Sequence, residues 1–292
     1  MNTLRILQCL SRLVLEAQLN PPIDRRAVVL GAATIAPALV VDKLLAFSNL
    51  APGDHLVSAK SLAGPQHPAE KTKPEVLVFD VNQTLLDLNA LRSHFARIFG
   101  DAKTLDEWFT LLLQYSLVVT VTGAYADFGT VAGAVLDMLA ANRKVNISPE
   151  DRRTILRGLL SLPAHPEVPE SLQRLREAGF RMVTLTNSSP AAVRTQIENS
   201  GLTKYFDESI SVDLVRRFKP DLEVYQRTAE HLGVPPANLL LVAAHAWDVF
   251  GALKAGWRAA FVSRNGITQF PLGPKADIVG PDLKTVADAI LT

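Results

Sequence analysis

From Val76 onward the chain repeatedly sets a short, unbroken apolar run beside a helical pattern, and this alternation constrains the fold more than any other feature. Val76 to Phe79 is continuously apolar and is closed by Asp80, as expected of a strand buried on both faces. Further strands are expected at Met182 to Thr186, Ile210 to Val212, Leu239 to Val242, Ala259 to Val262, and Ile278 with Val279. Helical spacing fills the gaps. Glu170 to Ala178 stops at Gly179, Pro190 to Ser200 at Gly201, Asp221 to Leu232 at Gly233, and Asp248 to Ala255 at Gly256. Proline near a helix start and glycine just past its end is the usual asymmetry.

Such alternation implies an α/β fold, with a Rossmann-like parallel sheet and helices on both faces. The long stretch between the first two strands breaks the rule. Leu91, Phe95, Ile98 and Phe99 keep helical spacing up to Gly100; Leu105, Trp108, Phe109, Leu112 and Leu113 do so again, and Val131 to Leu139 continues it. An inserted all-helical cap domain over the carboxyl edge of the sheet is expected. The division is then a tail over residues 1–70, an α/β core over 71–90 and 165–292, and the cap over 91–164.

The 292 residues are 48% hydrophobic and 20% charged, enough for a sizeable core. Thirty Lys+Arg against twenty-nine Asp+Glu leave +1, so there is no basic surplus to grip nucleic acid or an anionic membrane. Cys9 is the single cysteine, which excludes an intrachain disulfide and any Cys-rich zinc or iron–sulfur site. Chemistry must come from carboxylates, hydroxyls, lysines and histidines.

The tail has its own character. Arg25-Arg26 precedes an uncharged run from Ala27 to Val41, closed by Asp42. That is short of the roughly 20 apolar residues that span a bilayer, so no stable membrane span is expected. Two readings stand. An arginine pair before an apolar run resembles a twin-arginine export signal, which would place the protein in the periplasm. The amphipathic Leu4, Leu7, Leu10 and Val14 instead suit an N-terminal helix or a mis-assigned start, which would leave it in the cytoplasm. Pro52-Gly53 to Pro74 reads as linker.

In an open parallel sheet, ligands bind outside the carboxyl ends of the strands. Asp80 stands at the first such end, within Asp80-Val81-Asn82-Gln83-Thr84. Thr186-Asn187-Ser188-Ser189 stands at the second, Lys219 follows the third, and Asp248 follows the fourth, within Ala243-Ala244-His245-Ala246-Trp247-Asp248. Singly, each has a structural explanation: Asp80 or Thr186 as a cap, Lys219 as a solvated charge, Asp248 as the N-cap of its own helix. Four polar groups converging on one sheet edge point to a site.

Their order and spacing resemble the haloacid dehalogenase superfamily over residues 75–290, and within it the type II L-2-haloacid dehalogenases. Tyr225 follows Lys219 at that branch's offset, Ala246-Trp247-Asp248 is similar to its distinctive helix start, and Tyr125-Ala126-Asp127-Phe128 to its cap segment, with Trp108 and Tyr115 upstream. The resemblance implies a hydrolase cleaving the carbon–halogen bond of short (S)-2-haloacids without metal or other cofactor. Asp80 would be the nucleophile, forming an ester that water hydrolyses to an inverted 2-hydroxy acid. Lys219 would hold Asp80 ionised, and Asp248 would orient Lys219 and help to activate water. Thr84 and Thr186 would bond the nucleophile, and Thr186 and Asn187 would receive the substrate carboxylate. Tyr225 would close the pocket and Phe128 would line the halide side. Members of the family are often dimers, so a homodimer is implied.

The superfamily's phosphatases carry an aspartate two residues after the nucleophile as general acid; here it is Asn82, which has no titratable proton. Halide is a good leaving group and needs none. In three places the sequence departs from the branch. Phe109 stands where an arginine usually contacts the halide, and Gln114 is the candidate substitute. Ala243 replaces a serine, and His245 replaces an asparagine. His245 is either the base of the hydrolytic step or a hydrogen-bonding filler; both readings stay open. Two alternatives remain: a magnesium-dependent phosphatase of the same superfamily, and a weakly active relative that binds small carboxylates.

Overall fold

The computed structural model describes residues 73–292. Arg25-Arg26, the apolar run after them, Cys9 and most of the expected linker lie outside the described residues. Six strands form one sheet: β1 Val76–Phe79, β2 Arg181–Thr186, β3 Glu208–Ser211, β4 Leu239–Ala243, β5 Arg258–Val262 and β6 Ile278–Gly280. All pairings are parallel, in the order β3-β2-β1-β4-β5-β6. β1 and β4 are buried along their whole length, so the sheet is covered on both faces and its strands read as unbroken apolar runs. The expected strands fall where the alternation put them. Val212 is the exception, for β3 stops at Ser211 and Val212 opens a 3-10 turn.

Four helices follow β1: α1 Arg92–Phe99, α2 Thr104–Val121, α3 Phe128–Asn142 and α4 Pro149–Gly158. α4 was not anticipated. Its signals are Ser148, whose hydroxyl accepts from the Asp151 amide, and Pro149 in the first turn. Its few apolar residues around the buried Ile155 hid it. The remaining helices are α5 Val168–Glu177, α6 Pro190–Asn199, α7 Leu222–Leu232, α8 Ala246–Lys254 and α9 Leu283–Leu291. Four of them pack in pairs, α5 against α9 and α7 against α8, and α6 packs against β3. Among the described residues, no helix is long and apolar enough to cross a membrane.

Strand order reverses at β1. β2 and β3 lie to one side of it and β4 to β6 to the other, so the crevice between β1 and β4 is the topological switch point where α/β sheets bind ligands. The register pairs Phe79 with Val242, and the Asp80 amide continues the ladder to the Val242 carbonyl at 3.0 Å. The first residue past β1 thereby faces the loop past β4.

Candidate active site

Asp80 is almost fully buried, with 4% of its surface exposed. Lys219 Nζ donates to its Oδ1 at 2.9 Å, and the Thr84 hydroxyl donates to its Oδ2 at 2.6 Å. His245 Nδ1 lies 3.1 Å from the same Oδ2. Thr84 Oγ1 also accepts from the Ala244 amide at 2.9 Å, which fastens the loop after Asp80 to the end of β4. Arg264, past β5, donates to the Thr84 carbonyl at 2.7 Å and pairs with Glu167 at 2.8 Å.

Lys219 is not a solvated charge. Its ammonium bridges Asp80 and Asp248 Oδ2, the latter at 2.6 Å, and its third bond reaches the Leu185 carbonyl at 2.9 Å. All three donors of the ammonium are therefore satisfied. Asp248 is not the N-cap of its helix either; His245 holds that position, and Asp248 lies within the first turn, fully buried. The Tyr225 hydroxyl donates to Asp248 Oδ1 at 2.6 Å. Tyr225 thus stands behind Asp248 instead of closing a pocket. Gly251 permits this: a Cβ there would fall 2.6 Å from the Tyr225 hydroxyl oxygen.

The electrostatics follow from burial against pairing. Burial alone would raise Asp80, but Lys219, then His245 and Thr84, hold its carboxyl well below the usual carboxylate range. Burial pulls Lys219 down, and the two carboxylates more than offset this and raise it. Burial pushes Asp248 up; Lys219 offsets part of that, while the charge on Asp80 adds to it. Burial and the Asp248 charge likewise push the Tyr225 phenol well above its ordinary range. Asp80 is therefore the carboxylate held ready as an anion.

Asn82 points elsewhere. Its amide donates to the Ser188 hydroxyl at 3.3 Å and accepts from Gln196 Nε2 at 3.0 Å. It lines a cavity of about 340 Å³ together with Phe128, Leu156, Ser188 and Gln196. Thr186, expected on the nucleophile, accepts from the Ser188 amide at 3.1 Å and so shapes the turn into α6. Asn187 Oδ1 accepts from the Lys219 amide at 3.0 Å.

The inserted helices reach the site through Phe109, which is buried on α2 and stacks on His245 with ring centroids 6.2 Å apart. Trp247 covers His245 as well, at 4.9 Å. Gln114 is exposed on α2. Five residues along a helix is well over one turn, so Gln114 faces away from the side that carries Phe109. Sequence reasoning passed over Gln83, whose Oε1 lies 2.8 Å from His245 Nε2, and Arg264; neither belongs to a recognisable spacing.

For a divalent ion, the natural ligands would be Asp80 and Asp248. Both are already bridged by an ammonium, and each Asp248 oxygen already accepts from a protein donor. Among the described residues, no group of three or more His, Cys, Asp or Glu is placed to hold one.

Residues 74–256 match the family model of haloacid dehalogenase-like hydrolases. The chain is 33% identical over 189 residues to (S)-2-haloacid dehalogenase 1 of Pseudomonas sp. strain CBS-3, covering 64% of this chain and 83% of that one. It is 31% identical to (S)-2-haloacid dehalogenase 4A of Burkholderia cepacia, covering 65% and 83% respectively. Among solved structures, the L-2-haloacid dehalogenase of Xanthobacter autotrophicus with chloropropionic acid covalently bound superposes with a TM-score of 0.70 at 25% identity, over 74% of this chain and 98% of that one. The chain belongs to the haloacid dehalogenase-like hydrolases, on the branch of the L-2-haloacid dehalogenases.

Proposed function

We propose that this protein hydrolyses short (S)-2-haloacids to 2-hydroxy acids of inverted configuration, through an ester on Asp80. The observation that carries the reading is a buried carboxylate held anionic by Lys219 and Thr84 while Asn82, in the phosphatase acid's position, is turned to Ser188 and Gln196. An anion without an acid beside it suits a leaving group that departs unprotonated. Asp80 attacks the halogen-bearing carbon in line, the carbon–halogen bond breaks, and halide leaves with the electron pair. Fixing the nucleophile and excluding water supplies about 7–11 kcal/mol of the barrier.

Lys219 keeps Asp80 ionised and aimed, and Asp248, itself gripped by Tyr225, aims Lys219. The turn Thr186–Ser189 at the start of α6 receives the substrate carboxylate, where backbone amides and the helix dipole favour an anion. Phe128 lines the halide side. Water then attacks the ester carbonyl, with His245 as the base within reach of Asp80. The covalent Xanthobacter complex supports the ester. The homodimer belongs to the same proposal: Leu117, Val118 and Val121 form an exposed apolar row on α2, and sedimentation measures whether it pairs.

The test is halide release from a panel of 2-haloacids by the full chain, with and without chelator. Halide release at an unchanged rate with chelator is expected. Hydrolysis of aryl phosphates with magnesium, and no halide from any haloacid, would replace this reading with a phosphatase.

A further inference from the structure

Gln83 has no part in the roles above, yet both its backbone and its side chain are held in place. Its backbone sits at φ 63°, the left-handed region, which residues with a Cβ adopt only where their surroundings impose it. Its amide donates to the Leu86 carbonyl at 2.9 Å, and its carbonyl lies 3.2 Å from His165 Nε2. Its side-chain Oε1 is 2.8 Å from His245 Nε2, while His245 Nδ1 is 3.1 Å from Asp80 Oδ2. Phe109 and Trp247 stack on the same ring. The imidazole is thus gripped at both nitrogens and packed by aromatic rings, and it cannot rotate without losing both oxygens.

We propose that Gln83 is a positioning residue for the hydrolytic half-reaction: its amide oxygen keeps the hydrogen on His245 Nε2, so that Nδ1 is the nitrogen that takes the proton from water. The proposal rests on the dehalogenase reading above. While Asp80 is a carboxylate, His245 Nδ1 faces an anionic oxygen at 3.1 Å. Alkylation removes that negative charge, and Gln83 Oε1 then holds the ring hydrogen on Nε2, because an acceptor on the far nitrogen selects the tautomer. Water oxygen then bonds to Asp80 Cγ while one of its protons passes to Nδ1. The Cγ–O bond to the substrate breaks, its electron pair stays with the substrate oxygen, and the Nδ1 proton follows. The 2-hydroxy acid leaves, Asp80 keeps the water oxygen, and the second proton of the water passes from the Asp80 carboxyl group to solvent as the carboxylate re-forms. A carboxylate orients a catalytic histidine in the same way; an amide does so without placing a second anion beside Asp80.

Two measurements test this on the full chain. In rapid-quench kinetics with 2-chloropropionate, Gln83→Met should leave the first equivalent of halide nearly as fast as wild type. It should then accumulate ester on Asp80, read by mass spectrometry, and slow steady turnover about tenfold to a hundredfold, within the range on the order of 10²–10⁴ that a general base contributes. Gln83→Glu keeps the acceptor and should restore most of that turnover. Equal slowing of both phases in Gln83→Met, or a Gln83→Glu as slow as Gln83→Met, would overturn the proposal.

The second measurement needs no turnover. In Asp80→Asn, where a neutral amide stands in for the ester, the side-chain ¹⁵N shifts of His245 should show a hydrogen on Nε2 and a bare Nδ1. Adding Gln83→Met should mix the tautomers. A hydrogen on Nδ1 in Asp80→Asn would overturn the proposal whatever the kinetics. Nε2–H in a protein that releases no halide would instead remove the dehalogenase reading and keep the hold of Gln83 on the ring.

Discussion

The two sides of Asp80 are built differently. On the sheet side, Lys219, Asp248, Thr84 and Tyr225 form a buried ionic cluster in which every charged atom has a partner. On the side of the inserted helices there is one imidazole, packed by Phe109 and Trp247 and held by a neutral amide. Lys219, Asp248, Thr84 and Tyr225 resemble the branch's residues, and in the proposed reaction they serve the step that forms the ester. The other side holds two of the three departures, Phe109 and His245, and in the proposed reaction it serves the step that breaks the ester. Two of the three departures thus stand where the proposal has water handled, and the contacts of Lys219 and Thr84 with Asp80 are kept.

The largest effect should come from the nucleophile itself. Asp80→Asn should reduce halide release below detection; a variant that still turns over would remove Asp80 from that role. Next comes the cluster's cation. Lys219→Met would leave two carboxylates buried without their ammonium, a loss of about 3–5 kcal/mol. Urea unfolding should show it as a lower midpoint with an unchanged slope. An unchanged midpoint would mean that the pair contributes nothing to the fold.

A pH series sharpens the same contrast. The carboxyl of Asp80 is held below its ordinary range, so the stability it contributes is fully present above the unfolded-state pKa of about 3.9 and is lost as pH falls through the lower folded-state pKa. The difference in unfolding free energy between wild type and Asp80→Asn should therefore shift against wild type below about pH 4. A difference that stays flat between pH 6 and pH 3 would show that Lys219 does not hold the charge.

Effects on the helix side should be smaller. Phe109→Leu keeps the site apolar and most of the volume but removes a ring stack worth about 0.5–1.5 kcal/mol. It should slow steady turnover by about twofold to tenfold while leaving the first halide release unchanged. If the first release slows instead, Phe109 acts on the halide and not on His245. The smallest effect belongs to Gln114→Ala, which should change kcat/KM by less than about twofold, as expected of an exposed position away from the site. A large loss there would mean that α2 turns when substrate binds.

The sheet side was legible in the sequence because burial on both faces writes a strand as an unbroken apolar run, and a polar residue at its end stands out. Asp80, Thr186 and Asp248 announce themselves in this way, and Lys219 follows from their order. Direction of side chains was not legible. Asn82 and Thr186 sit at recognisable positions, yet both bond to Ser188 rather than to Asp80. Tyr225 matches the branch's spacing, but only the packing of α8 at Gly251 shows that it backs Asp248. Gln83 was invisible because its partner is 162 residues away and its backbone conformation is one that side-chain chemistry does not advertise.

The most direct test of an ester on Asp80 is a single turnover in H₂¹⁸O with enzyme in excess over 2-chloropropionate, followed by mass analysis of the Asp80 peptide and of the product. The account predicts ¹⁸O in the Asp80 carboxylate and an unlabelled hydroxyl in the first product, since water attacks Cγ and the substrate leaves with an oxygen of Asp80. Label appearing at once in the hydroxy acid, with Asp80 unlabelled, would mean that water attacks the substrate carbon directly, and the nucleophilic role of Asp80 would be lost.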